Sequence, residues 1–276
     1  MLGRGDTANA WSLTPAMFDL DIYSTGLAAA LALGLVAWLI QIPLRDAGVA
    51  DSFWALFFMA MGGVYIITAP QVEDRSYLVF FLVTLWGSRL SAFIIRRNWG
   101  HGEDRRYAAM RADHEPGFWW KSFYLVFGLQ AILAWVLSLP LHAAILSPAP
   151  IGWLDYAALG LWLGGLFFES VGDQQLADFK AHPGNRGRVM DQGLWRYTRH
   201  PNYFGEACIW WGFYLFALAA GGWWAIVSPV LMTWLLLRVS GVALLEKDIA
   251  ERRPDYRDYI ARTNAFIPGP RRGAGA

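Results

Sequence analysis

The chain has 276 residues, of which 56% are hydrophobic and only 16% charged, whereas a soluble domain is typically about a quarter charged; the solvent this balance implies is lipid. A net charge of +1 argues against nucleic acid as a partner, and a lone cysteine, Cys208, excludes an intramolecular disulfide and a zinc-finger type of metal site. The first twenty residues carry Arg4 but no short apolar run ending in a small-residue cleavage site, so the first apolar segment is expected to direct insertion itself.

Crossing the hydrocarbon layer as a helix takes about 20 mostly apolar residues, and the pattern predicts segments over 22–42, 50–69, 76–95, 122–146, 151–171, 203–220 and 223–242. The expected fold class is therefore all-α integral membrane, one polytopic domain of seven transmembrane helices. Ser147-Pro148-Ala149-Pro150 and Gly221-Gly222 mark tight turns between consecutive segments. Many of the Trp residues, such as Trp99, Trp119, Trp120, Trp153 and Trp223, fall near segment ends, where amphipathic rings suit a membrane interface. Outside the segments, one side holds only Arg4 and Arg75, while the loop after segment three, the loop after segment five and the C-terminal stretch hold nearly all other Lys and Arg. By the positive-inside rule the N-terminus is expected outside and the C-terminus in the cytoplasm.

Seven ionisable residues then fall toward the cytoplasmic ends: Asp51, Arg89, Glu169, Asp173, Glu206, Arg238 and Glu246. Such groups are expensive in a membrane and usually pair, line a wet cavity or do chemistry. An ion pair between Asp51 and Arg89 is the structural alternative. The richest stretch runs from Glu169 and Asp173 through a basic loop to Arg199-His200-Pro201-Asn202-Tyr203-Phe204-Gly205-Glu206. Glu169 and Asp173 are four residues apart, as are Asn202 and Glu206, so each pair shares one helix face. Pro201 suits the first turn of a helix, whose free N–H groups can meet an anion. The five His residues show no metal-ligand spacing, and His200 is expected to shape the loop by hydrogen bonding.

The run Arg199–Glu206, with Glu246 and the later Tyr256, Tyr259 and Ile267-Pro268, resembles the membrane steroid 5α-reductase and sterol reductase superfamily, and most closely its bacterial branch, which points to a bacterial inner membrane. The resemblance is strong from about 165 to 268. It implies a seven-helix fold whose cytoplasmic loops hold NADPH and which reduces a conjugated carbon–carbon double bond in a steroid-like or other lipid substrate. By position it implies that Glu169, Asp173, Asn202 and Glu206 hydrogen-bond the cofactor. Lys180 and Arg188 would contact its phosphates, and Arg89, Arg199, Tyr203, Arg238 and Glu246 would complete the cofactor site. The superfamily's substrate-polarising Glu and Tyr are replaced by Asp51 and Trp86, and an indole N–H is too weak an acid to protonate an oxygen. A protonated Asp51, with Tyr107 if its loop folds back, is the expected catalytic pair. The same Arg-His-Pro-x-Tyr-x-Gly-Glu pattern is shared more loosely with S-adenosylmethionine-dependent membrane methyltransferases of the isoprenylcysteine and phospholipid type, the alternative reading. A transporter would need charged groups along a full path across the membrane, and none of these lies in the outer half.

Overall fold

The computed structural model describes residues 18–239, 241–246, 249 and 253–272; Arg4, Lys247 and Arg252 of the loop charge pattern lie outside them. Among the described residues every regular element is helical and no strand occurs. The chain runs through α1 (Leu20–Leu44), α2 (Val49–Thr68), α3 (Asp74–Asn98) and a short α4 (Arg105–His114). A fourth apolar stretch follows as α5 (Phe118–Ser122), a π-helical turn (Phe123–Gly128) and α6 (Leu129–Leu137), and then α7 (Leu139–Ile145). The last part comprises α8 (Trp153–Ala181), α9 (Pro201–Ala219), α10 (Val227–Trp234), a π-helical stretch (Leu235–Val239), α11 (Val242–Glu246) and α12 (Tyr256–Arg262).

Five stretches are long and apolar enough to cross a membrane by length and composition: Leu20–Leu44, Val49–Thr68, Asp74–Asn98, Phe118–Leu137 and Trp223–Glu246. The segments expected over 151–171 and 203–220 form as α8 and α9 but fall outside that set. α8 runs on to Ala181 rather than ending near 171 and gathers Glu169, Asp173, Asp178 and Lys180 on the way. The segment expected over 122–146 breaks at Ser138, where Pro140 in the first turn of α7 supplies no N–H to continue the ladder. The loop after α3 is not irregular throughout. Asp104 caps α4 by accepting from the Arg106 N–H at 2.9 Å.

α8 and α9 pack backbone against backbone. A side chain on Gly165 would lie 2.6 Å from the Gly205 carbonyl oxygen, and one on Gly205 would lie 2.4 Å from the Glu169 nitrogen; small residues at such a seam let helices approach closely. Gly165 and Glu169 share a face at i, i+4, so the close crossing brings Glu169 beside the start of α9. Around this crossing lies the core, where Trp210 meets Phe58 at 4.6 Å and Trp86 at 5.9 Å between ring centroids. At the opposite end of α3, Arg75 and Asp155 form a fully buried ion pair, Nε to Oδ1 at 2.7 Å. Large apolar side chains such as Leu31, Leu39, Phe81, Leu129 and Ile132 point outward, as a lipid-facing surface requires.

Candidate active site

At the end of the bundle that carries the basic loops, the helices enclose a cavity of about 910 Å³, near the top of the range of roughly 300–1,000 Å³ usual for small-molecule sites. Its deeper walls are apolar, with Leu90, Ile94, Leu133, Met232, Leu235 and Leu236.

The floor is a charged cluster built on three helices. Arg89 of α3 donates Nη1 to Asp173 Oδ2 at 2.8 Å and Nη2 to Glu169 Oε1, so the structural alternative, a pair between Arg89 and Asp51, does not form. The two carboxylates lie four positions apart on α8, and one guanidinium spans both because they stack on one face. Trp86, one turn before Arg89, donates its indole N–H to the second Glu169 oxygen at 2.9 Å. Trp86 therefore fixes Glu169 and faces no substrate carbonyl. Asn202 in the first turn of α9 donates to Asp173 Oδ1 at 3.1 Å, and its own Oδ1 is buried with no hydrogen-bond partner among the described residues. Glu206, one turn further, lies beside Trp54 of α2. Tyr203 stacks on His200, 5.5 Å away and within 9° of parallel.

The side wall joins Asp51 and Tyr107. Glu103 accepts two hydrogen bonds from Arg111, at 2.9 and 2.8 Å, and one from the Ala47 N–H at 2.9 Å. These pin α4 against the turn between α1 and α2. Burial alone would raise the Glu103 carboxyl, but these donors outweigh it and hold it below its usual value. With α4 folded back, Tyr107 is buried and donates to Asp51 Oδ1 at 2.6 Å. Arg106 donates to Asp51 Oδ2 at 2.7 Å and to Asp104 at 2.9 Å. Burial and the Asp51 charge push the Tyr107 phenol well above its usual range. Asp51 accepts from both a guanidinium and a phenol, so the expected pair Asp51 and Tyr107 meets in the side wall, with Asp51 orienting the Tyr107 ring. Gln130 of α6 donates Nε2 to the Tyr107 oxygen at 3.2 Å.

At the mouth, Arg97, Lys180, Arg186 and Arg253 line the cavity. Arg188 does not; it is exposed two residues beyond Arg186, and its carbonyl accepts from Arg253 at 3.1 Å. Arg238 is exposed on the π-helical stretch, whose Leu235, Leu236 and Val239 take the inner face. Arg199 and Glu246 bind one another through two hydrogen bonds at 2.7 and 2.9 Å, and Arg199 also holds the Ile260 and Thr263 carbonyls. His200 reaches the same Glu246 at 2.9 Å, the loop-shaping role its position suggested. These residues strap the C-terminal segment across the mouth, where Tyr256 and Tyr259 join the lining. Burial first, then the Glu246 charge, pushes the Tyr256 phenol up to about 12.

Of the residues expected from sequence, Asp51, Tyr107, Glu169, Asp173, Lys180, Arg199, Asn202, Tyr203 and Glu206 all line this one cavity, and Arg89 braces its floor. Trp54, Arg97, Arg106 and Gln130 belong to it as well and were missed. Gln130 carried a readable signal, a lone amide inside an apolar segment. The indoles carried none, because Trp is common throughout the chain.

The chain matches, over residues 37–263, the family described as a protein of unknown function, DUF1295. It is 27% identical over 290 residues to an uncharacterized protein of Schizosaccharomyces pombe, covering 91% of this chain and 81% of that one. No solved structure matches.

Proposed function

Because the chain belongs to the DUF1295 family, part of the steroid 5α-reductase-like superfamily, we propose that it is an NADPH-dependent membrane reductase of a conjugated carbon–carbon double bond in a hydrophobic substrate. The superfamily suggests the reaction class; the roles must come from the site. The carrying observation is the charge pattern of one cavity: Arg97, Lys180, Arg186 and Arg253 at the mouth, and a carboxylate-rich floor with one guanidinium.

The residues fit the cofactor. Four cations suit phosphates, which guanidinium groups bind by charge-assisted hydrogen bonds. The buried, unpartnered oxygen of Asn202 suits the amide or hydroxyl donors of a carboxamide or ribose. The bound dinucleotide supplies a hydride. The protein's share is to hold the apolar substrate against Leu90, Leu133 and Leu236 and to place a donor where negative charge develops on the substrate oxygen. Tyr107 is that donor: its O–H turns from Asp51 to the substrate, while Asp51 keeps the ring oriented through Arg106. In this reading α8 and α9 complete seven spans, since two helices packed on each other need not be apolar all round. The mouth opens to the cytoplasm, the N-terminus lies outside and the substrate comes from the bilayer. A reporter fused after the C-terminal residue should read cytoplasmic and one inserted at Ser147 exterior; the reverse pair would sink this orientation.

A second reading, an S-adenosylmethionine-dependent methyltransferase, is favoured by the same floor, which would suit a sulfonium cation. The mouth distinguishes them, because four cations have no phosphate to meet in that ligand. Thermal melts of the purified protein with NADPH, NADH or S-adenosylmethionine decide, since a ligand of the folded state stabilises it, by about 2.7 kcal/mol at a hundredfold excess over Kd. NADPH should stabilise most. Stabilisation by S-adenosylmethionine with NADPH silent would overturn the reductase reading.

A further inference from the structure

The directions of three hydrogen bonds in the side wall follow from one ion pair. Asp51 holds Arg106 at 2.7 Å and can only accept. Tyr107, with a single hydrogen, must therefore donate it to Asp51 across 2.6 Å. The group facing the phenol oxygen at 3.2 Å must then be the N–H side of the Gln130 amide. This fixes the amide's orientation, which geometry alone often leaves open, and it leaves Gln130 Oε1 buried with no partner among the described residues. Gln130 lines the cavity beside the Asp51 end of α2, within reach of Tyr107. In an otherwise apolar stretch of α6, the molecule keeps an acceptor without a donor beside the residue that would polarise a substrate carbonyl.

We propose that Gln130 reads a hydrogen-bond donor on the substrate, so that the substrate's polar end carries an N–H or O–H next to its carbonyl. The class is a conjugated amide, acid or hydroxyketone with a hydrophobic body, and not a ketone bare of donors. The carbonyl would meet Tyr107 while the neighbouring donor meets Gln130 Oε1. This deepens the reductase reading and rests on it only in taking the cavity as the place where the lipid binds. A site built around an acceptor discriminates strongly against an analogue that leaves it unpaired.

The test uses two saturated probes that differ by one donor, N-methylhexadecanamide and methyl hexadecanoate, titrated into the full-length protein in detergent without nucleotide. Wild-type protein should bind the amide about five- to tenfold more tightly, the worth of one buried hydrogen bond. Gln130→Met should erase that preference while leaving ester affinity in place. Equal affinity for the two probes, no binding of the amide, or a preference that survives Gln130→Met overturns the proposal; if Gln130→Met fails to fold, the wild-type pair still decides. Neither probe has a double bond and no cofactor is present, so these outcomes are separate from the nucleotide melts that test the reductase reading.

Discussion

Removing Asp155 should cost the fold dearly and the site nothing. Arg75 and Asp155 are each 1% exposed. Asp155 takes Arg75 Nε at 2.7 Å and Nη2 at 2.8 Å, and also accepts the Gly152 N–H at 2.8 Å where α8 begins. Arg75 also donates to the Ala149 and Pro150 carbonyls at 2.8 Å each. Asp155→Ala leaves a buried guanidinium with two carbonyls and no counter-charge, and frees an N–H at the helix start. Breaking one half of such a pair costs about 3–5 kcal/mol, whereas replacing both halves with apolar residues is often neutral. Arg75→Met with Asp155→Leu should thus recover most of the loss. Arg89 lies four turns along the same helix, about 21 Å away at 1.5 Å per residue, so nucleotide affinity should hold in both variants. Unfolding by SDS titration in mixed micelles measures the first quantity and nucleotide titration the second. A single-mutant loss below about 1 kcal/mol, or a parallel fall in nucleotide affinity, would refute the reasoning.

Asn202→Ala should weaken NADPH binding by about 1–3 kcal/mol with little change in melting temperature, read by titration beside a melt; unchanged affinity removes Asn202 from the cofactor site. Asp51→Asn should abolish turnover and leave nucleotide affinity intact. Its stability cost should stay within about 1 kcal/mol, because the exposed Arg106 keeps Asp104 as partner; an early melt with loss of nucleotide would make Asp51 structural. Glu103 is held below its usual carboxyl value, so its share of stability is present above the unfolded value and is lost as pH falls through the folded one. Melts taken downward from pH 5 should therefore fall more steeply for wild type than for Glu103→Gln, and parallel curves would contradict that linkage.

The apolar runs made the helices legible because lipid imposes one pattern on every surface-facing stretch. Their ends were less legible. α8 outruns its apolar segment because its last turns face the cavity, where Asp173 and Lys180 cost little. The break at Ser138 was signalled by Pro140, yet the hydrophobicity on both sides hid it. Within the site, Glu169, Asp173, Asn202 and Glu206 were readable as intramembrane polar groups at helical spacing. What spacing could not give was direction. Arg89 chose α8 over Asp51 because the Gly165–Gly205 crossing carries two carboxylates to one guanidinium. Tyr107 reached Asp51 only because Glu103 and Arg111 tie α4 down, a contact between loops with no periodic signature. Arg188 and Arg186 are alike in sequence and differ only in which way a short loop turns.

The cavity is also polarised along its length, and this narrows what can occupy it. Three carboxyl groups, Glu169, Asp173 and Glu206, converge on one guanidinium at the floor, while the mouth gathers cations from α3, α8 and the C-terminal segment. Charge left unbalanced at the buried floor is costly, while the exposed cations of the mouth attract anions. A ligand that suits both ends must be anionic at one end and electron-poor or rich in hydrogen-bond donors at the other. A fatty acid or a sterol satisfies at most one end. The dinucleotide of the proposed reductase would satisfy both, with phosphates outward and its carboxamide-bearing ring inward. In that reading the apolar wall of Leu90, Leu133 and Leu236 is left for a hydrophobic substrate at the ring end. In the reductase reading, Tyr107 and Gln130 meet the substrate while Arg97, Lys180, Arg186 and Arg253 at the mouth meet the cofactor phosphates.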